Sequence, residues 1–182
     1  MNTKIYQGVE LILDGLVPGW QEDPNFRDTP RRVTKMYEEL FSTEAPVLTV
    51  FPETHNQMII LAHHKAYSLC PHHLLPIEMD ISLAYIPKGF VLGISKLARM
   101  IHMKIGKPSM QETLTDELAD ILYDVADTGK NCLGSAVLIK AEHDCMKIRG
   151  VKSSGHIITS AVRGVFKDDP SAKEEFLSLV KP

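Results

Sequence analysis

The sequence has little cysteine, three residues in 182, and an odd number of thiols cannot all pair internally. A disulfide framework is therefore excluded as the source of stability, and the thiols are read as free or metal-bound, the common fates in a reducing compartment. Long hydrophobic runs are missing as well. No stretch approaches the roughly 20 apolar residues of a membrane span, and the N-terminal stretch MNTKIYQGVE carries polar and acidic groups where a secretory signal needs an apolar core. The expectation is a cytoplasmic protein with no membrane partner. An excess of positive charge is also lacking. The formal net charge of −3 supplies no global field for nucleic acid, so no such partner is expected and any polyanionic ligand must be met by local cations.

What is present is the balance of a globular chain, 44% hydrophobic and 24% charged, long enough for one ordinary domain with a real core. No internal repeat or low-complexity tract divides it. Val9, Leu11, Ile12 and Leu16 suggest a short leading helix that stops near Pro18-Gly19, and Gln21 to Phe26 reads as a polar connector. Asp28-Thr29-Pro30 places a capping residue ahead of a first-turn proline, and Val33, Met36, Tyr37, Leu40 and Phe41 share one face of a helix over Arg27 to Ser42. No domain boundary is convincing; residues 1–50 read as a helical segment and 51–182 as the main domain of a single structural unit overall.

In that second part, Met58 to Ala62 and Ile77 to Ile86 read as strands, the latter alternating Ile77, Met79, Ile81, Leu83 and Tyr85 with more polar neighbours. Ser95 to Ile105 and Met110 to Asp127 carry apolar residues at helical spacing. Ser135 to Cys145 returns to period two, with Val137, Ile139, Ala141, His143 and Cys145 on one face, and His156 to Phe166 is a last strand-like run before a helix capped at Asp169-Pro170. The order β-β-α-α-β-β predicts an α+β fold, an antiparallel sheet with the helix pair on one face.

The chemistry concentrates in two places. Cys70-Pro71-His72-His73 packs a thiol and two imidazoles into four residues, and His143-Asp144-Cys145 repeats the theme. If the second run stays extended, His143 and Cys145 project to the same side, and both segments can converge on one metal. Zinc suits such donors. Cys70, His73 and Cys145 as ligands leave a fourth position for water, whose pKa zinc lowers from about 15.7 toward about 7. His72 and His143, with ordinary pKa values near 6.5, then stand beside the metal as proton carriers. The rival is a closed structural site with four ligands, Cys70, His73, His143 and Cys145. Cys132 reads as a packing residue, and His55, His63, His64, His102 and His156 as surface or core histidines.

Taken together, Cys70-Pro71-His72-His73, Gly93-Ile94-Ser95-Lys96-Leu97-Ala98-Arg99, Gln111-Glu112 and His143-Asp144-Cys145-Met146-Lys147-Ile148-Arg149-Gly150 resemble GTP cyclohydrolase I. The likeness runs from Asp28-Thr29-Pro30-Arg31-Arg32 through Ala84-Tyr85-Ile86-Pro87 to Gly164-Val165-Phe166 and Glu175-Phe176-Leu177. It implies a tunnelling fold, the sheets of several subunits closing into a barrel, in a homo-oligomer expected to be a decamer of two stacked pentamers with active sites between subunits. It implies hydrolysis of GTP at C8, with release of formate and formation of 7,8-dihydroneopterin triphosphate, feeding a pterin or deazapurine pathway. By the same resemblance Cys70, His73 and Cys145 bind Zn2+, and His72 and His143 transfer protons. Glu112, assisted by Gln111, reads the guanine N1 and N2 donors. Lys96, Arg99 and Arg149 meet the triphosphate, Arg32 reaching in from a neighbouring subunit, and Ser95 lies beside the ribose.

Two features depart from the family pattern. Pro71 stands where the family usually has glutamate, which removes a carboxylate from beside the metal. Ser153 to Ser160, with Gly155-His156, is also atypical and one residue shorter, which bears on substrate fit because it follows Arg149. These departures motivate two alternatives: a relative with altered purine specificity, and a noncatalytic pterin-binding protein with structural zinc.

Overall fold

The computed structural model describes residues 1–41, 48–125 and 131–181. The chain divides into two compact units, Met1–Ser42 and Thr43–Pro182. In the first, α1 (Thr3–Leu16) is capped by Asn2, whose side chain accepts from the Lys4 and Ile5 amides, and α2 (Thr29–Leu40) starts with proline in its first turn. Their core is Val9, Leu13 and Trp20, flanked by Ile5, Val17, Phe26 and Val33. Of the residues read from sequence, Val9 and Val33 join this core, and others do not. Leu11, Ile12 and Leu16 are exposed, as are Met36 and Leu40. Asp28 sits at the N-cap position of α2 without a side-chain cap bond; its carboxylate pairs instead with Arg31 Nη2 at 2.8 Å. The predicted end of this helix at Ser42 lies outside the described residues.

The second unit is built on a four-stranded antiparallel sheet in the order β2-β3-β5-β6. Its strands are β2 (Ile59–Leu69), β3 (Pro76–Ile86), β5 (Gly134–His143) and β6 (Ile157–Gly164). β1 (Val50–Pro52) pairs with β4 (Phe90–Leu92) in a separate two-stranded sheet, which sequence periodicity cannot reveal in runs so short. Tyr85 ties β4 to the main sheet, its buried hydroxyl accepting from the Leu92 amide at 2.8 Å.

Alternation decides which face is buried. Odd-numbered residues of β3 and β5 (Met79, Ile81, Leu83, Val137, Ile139) meet Leu97, Met100 and Ile101 of α3 (Ile94–Ile105) and Leu114, Leu118 and Leu122 of α4 (Gln111–Tyr123). Each such side chain contributes about 1.5–3 kcal/mol by leaving water. The helix pair on one face is therefore as expected, and the predicted tail of α4 at 126–127 lies outside the described residues. The opposite face is not bare, however. The short α6 (Val165–Asp168) and α7 (Pro170–Leu179) set Phe166 and Phe176 over Ala84 and Ala136, with the two rings edge to face at 6.1 Å. Small alanines on the sheet make room for the two large rings.

β2 runs well past its predicted end at Ala62. The register with β3 shifts between Leu61 and His64, and His63 adopts φ 54°. This bulge carries the strand through a polar stretch that looks like a loop in sequence. Among the described residues, no helix is long and apolar enough to cross a membrane.

Gly164 joins β6 to α6 at φ 55°, and a Cβ there would lie 2.2 Å from the Leu133 carbonyl oxygen and 2.9 Å from Tyr123. Gly89 has φ 73° with open space around it. Gly164→Ala should therefore lower stability by more than about 2 kcal/mol, through strain plus collision, whereas Gly89→Ala should cost about 1 kcal/mol. Denaturant unfolding of the two variants checks this, and equal losses would contradict it.

Candidate metal centre and active site

β2 ends at Cys70 in a tight turn. Leu74 N–H donates back to the Cys70 carbonyl and Cys70 N–H to Leu75 O, both at 2.9 Å, and Leu74 takes φ 53° to close the turn. One helical turn of chain brings side chains three apart to one side. Accordingly Cys70 Sγ lies 3.7 Å from His73 Nδ1, and also 3.7 Å from His72 Nδ1.

The other segment arrives through β5. Ile77, just past the Cys70 turn, stands opposite His143 in the β3–β5 ladder, so the end of β5 is delivered to the same place. Here the sequence reading needs a correction: β5 stops at His143, and Asp144–Lys147 forms a short helical turn, α5. Cys145 is thus placed by a helix rather than by strand alternation. An acidic residue at the first position and Lys147 at the last suit that turn.

Cys70, His73 and Cys145 come together all the same, with ligand atoms within 4.8 Å of one another. His143, the fourth donor of a closed site, is not in that group, and its Nε2 contacts Gln111 Oε1 at 2.8 Å. Cys70 is buried, Cys145 half-buried and His73 exposed, so the cluster opens to one side. Two thiols and an imidazole fit a soft divalent ion. Burial pushes the Cys145 thiol above its usual range, and the neighbouring Cys70 adds to the effect. Cys132, far more deeply buried, is pushed up to about 11 by desolvation and donates to the Gly134 carbonyl at 3.1 Å. It is a packing residue, as its sequence context suggests.

His143 is held below its ordinary pKa by burial, with the Glu112 carboxylate opposing the shift. Glu112 is exposed in the first turn of α4. Gln111 beside it is 3% exposed, and its amide nitrogen donates to Ile139 O, Ile157 O and Thr159 Oγ1 at 3.2, 3.1 and 3.0 Å. Thr115 and Thr159, at 2.7 Å from each other, complete this network; neither is singled out by the sequence reading, although Gln111 and Thr115 stand at the i, i+4 spacing of one helix face.

The predicted cations fall in three places. Arg149 contacts His73 Nε2. Ser95, Lys96 and Arg99 lie in the first turns of α3, and among the described residues neither Lys96 nor Arg99 pairs with a carboxylate. Arg32 belongs to the N-terminal unit, where it stands 3.9 Å from Asp28. Of the remaining histidines, His63 pairs with Asp80 at 3.3 Å and His64 meets His102 edge to face at 5.3 Å. His156 Nε2 reaches Glu142 Oε1 at 3.1 Å, while Lys147 Nζ holds Glu142 Oε2 at 2.7 Å. Glu142 thereby ties together the two ends of the loop that carries Arg149.

Fold and site define an α+β protein with an open Cys/His/Cys cluster able to hold a metal ion, beside a hydrogen-bonded histidine. The chain belongs to the GTP cyclohydrolase I family, whose model matches residues 8–181. It is 42% identical to the GTP cyclohydrolase 1 of Dehalococcoides mccartyi over 96% of both chains. The corresponding Aquifex aeolicus protein is 42% identical over 99% of this chain and 97% of its own. The protein of Halalkalibacterium halodurans is 40% identical with the same coverage.

Because thiols bind metal as thiolates and the Cys145 pKa is raised, protons compete with the ion. Metal affinity should rise with pH across the neutral range, and Cys70→Ser or Cys145→Ser should abolish it. Titration with cobalt, followed by its thiolate absorption, reads both effects; a pH-independent affinity would contradict this assignment. Glu142→Gln should loosen the loop between α5 and β6, read as faster amide hydrogen exchange there, because Lys147 and His156 lose their shared partner.

Proposed function

We propose that this protein is a zinc-dependent GTP cyclohydrolase I that hydrolyses GTP at C8, releasing formate and yielding 7,8-dihydroneopterin triphosphate. The observation that carries the reading is the convergence of Cys70, His73 and Cys145 in a chain matching this family over nearly its whole length. Zinc is the ion that a two-thiolate, one-imidazole set favours, and when bound with a fourth position open it supplies Lewis acidity and a nucleophilic water at neutral pH.

The chain's own groups then divide the work. His72 and His143 flank the ligand cluster in sequence and exchange protons with the purine ring as it opens. A neutral His143, favoured by its burial, is the form able to accept a proton at pH 7. Glu112 accepts from the guanine N1 and N2 donors, a pattern adenine does not present. Lys96, Arg99 and Arg149 bind the triphosphate. The lack of carboxylate partners for Lys96 and Arg99 among the described residues supports this, since a cation meant for an external anion is better left unneutralised within the protein. Ser95 lies beside the ribose, and Arg32 comes from a neighbouring subunit.

The assembly we propose is a tunnelling-fold barrel, a decamer of two stacked pentamers, in which an N-terminal helical segment precedes the catalytic domain; the division expected at 50/51 falls inside the second unit, where Val50 already begins β1. Two features support it. β2 and β6 end the four-stranded order among the described residues, leaving edges for a neighbouring copy to pair. Large apolar side chains, Leu16 at 75% and Ile158 at 62%, are exposed on the isolated chain, as expected of surfaces that a partner covers.

Incubating zinc-loaded protein with GTP should give both formate and the fluorescent oxidised pterin. Formate without pterin would limit the protein to ring opening, and the absence of both would overturn the proposal. His143→Ala should keep zinc and lose turnover. Glu112→Ala should reduce the preference for GTP over ATP by roughly 1–3 kcal/mol, the cost of leaving donors unpaired; unchanged discrimination would remove Glu112 from the guanine site.

A further inference from the structure

We infer that Gln111 is a positioning residue for His143 rather than a ligand for the substrate, and that its amide, held one way round, fixes the orientation of the His143 ring with its hydrogen on Nε2. The inference rests on the assignment of His143 as a proton carrier in the proposed reaction, and deepens it.

An amide can be turned over, exchanging donor for acceptor, unless its surroundings discriminate. Those of Gln111 do so in two independent ways. Its nitrogen faces the carbonyl oxygens of Ile139 and Ile157; reversal would set oxygen against oxygen at both. The second constraint is a closed ring of hydroxyls. Thr115 Oγ1 donates to the Gln111 main-chain carbonyl at 2.7 Å, which uses its only hydrogen. The 2.7 Å contact between the two threonine hydroxyls must then be donated by Thr159. With its hydrogen spent, Thr159 Oγ1 can only accept, and what faces it at 3.0 Å is the Gln111 nitrogen.

Both amide hydrogens are thus consumed inside the protein, and Gln111 has no donor left for a purine. Its one outward function is Oε1, an acceptor, 2.8 Å from His143 Nε2. A ring nitrogen facing an acceptor must carry the hydrogen, so Nε2 is the N–H of the neutral ring and Nδ1 is the nitrogen left without one. The amide also fixes ring orientation, because its three partners come from β5 and β6 while Gln111 itself opens α4. Gln111 itself is 3% exposed, and in such a setting hydrogen bonds are strongest and a missing partner costs most. This is how a histidine is commonly prepared for one role: a partner on the far nitrogen sets the tautomer.

The test uses the zinc-loaded protein in four forms: wild type, Gln111→Met, Thr159→Val and Thr159→Ser. Solid-state 15N NMR with labelled histidine, with the His143 signals identified by their loss in His143→Asn, should show the hydrogen on Nε2 in wild type and a mixture in Gln111→Met. With GTP, Gln111→Met should lower kcat by about 10- to 100-fold, the range for partners that orient a functional histidine, while KM stays within about threefold. Thr159→Val should give a smaller loss that Thr159→Ser restores. A raised KM with kcat retained would make Gln111 a substrate ligand, and a wild-type His143 carrying its hydrogen on Nδ1 would overturn the inference outright. Should Gln111→Met fail to fold, the wild-type spectrum and the Thr159 pair decide the matter alone. If wild type shows the Nε2–H tautomer but no GTP turnover, the reaction assignment fails and the positioning role stands.

Discussion

The centre depends on one pairing register. β3 and β5 are far apart in sequence, yet Ile77 stands opposite His143, and this brings the turn after Cys70 against the end of β5. The turn between β2 and β3 contributes Cys70 and His73, and the α5 turn at the end of β5 contributes Cys145, so the three donors come together only once the ladder has formed. Slipping the register by one residue would move Met79, Ile81, Val137 and Ile139 from the helix-covered face to the other side. The hydrophobic core therefore enforces the position of the metal ligands, and burial of side chains that never touch the site fixes its geometry.

A second constraint is the dielectric contrast across α4. Gln111 begins the helix in a dry setting, sealed between β5, β6 and two threonines, while Glu112, one residue on, is exposed. Adjacent positions in a helix point about 100° apart, so a single turn presents both a buried acceptor to His143 and an exposed carboxylate to solvent. α3 works on a similar principle. Leu97, Met100 and Ile101 anchor it in the core, and Lys96 and Arg99 rise from its outer face. Local cations on a rigid helix thus supply the positive potential that an acidic chain of net charge −3 lacks as a whole.

Much of this was legible in the sequence, for reasons that can be stated. β3 announces itself because Ile77 to Tyr85 alternate without interruption, and α3 and α4 because their core positions recur every three or four residues. Residue types alone pointed to Cys70, His73 and Cys145 with His143 as a possible fourth donor, and the family resemblance singled out the three that the fold brings together. Cys145 shows the limit of periodicity: its spacing from His143 fits a strand, but Asp144 to Lys147 turn into a helix, and the thiol reaches the cluster by a different local geometry. β2 was cut short because His63, His64 and Lys65 look like a loop until a bulge and the pairing of Lys65 with Asp80 at 3.1 Å explain them. The covering of the second face by Phe166 and Phe176 was hidden in alanines, whose smallness carries no signal of its own. Gln111 was the least legible, since an amide can donate or accept and only its three partners say which it does.

Cys70, His73 and Cys145 are proposed to form a metal centre with one position left open. A crystal structure of the zinc-loaded protein, with the ion located by anomalous scattering at the zinc edge, tests this. Zinc should be bound by two sulfurs at about 2.3 Å and one imidazole nitrogen at about 2.0–2.1 Å, with water completing a tetrahedron. His143 should remain on Gln111. A fourth protein ligand, His143 above all, or an ion bound away from these three residues, would contradict it.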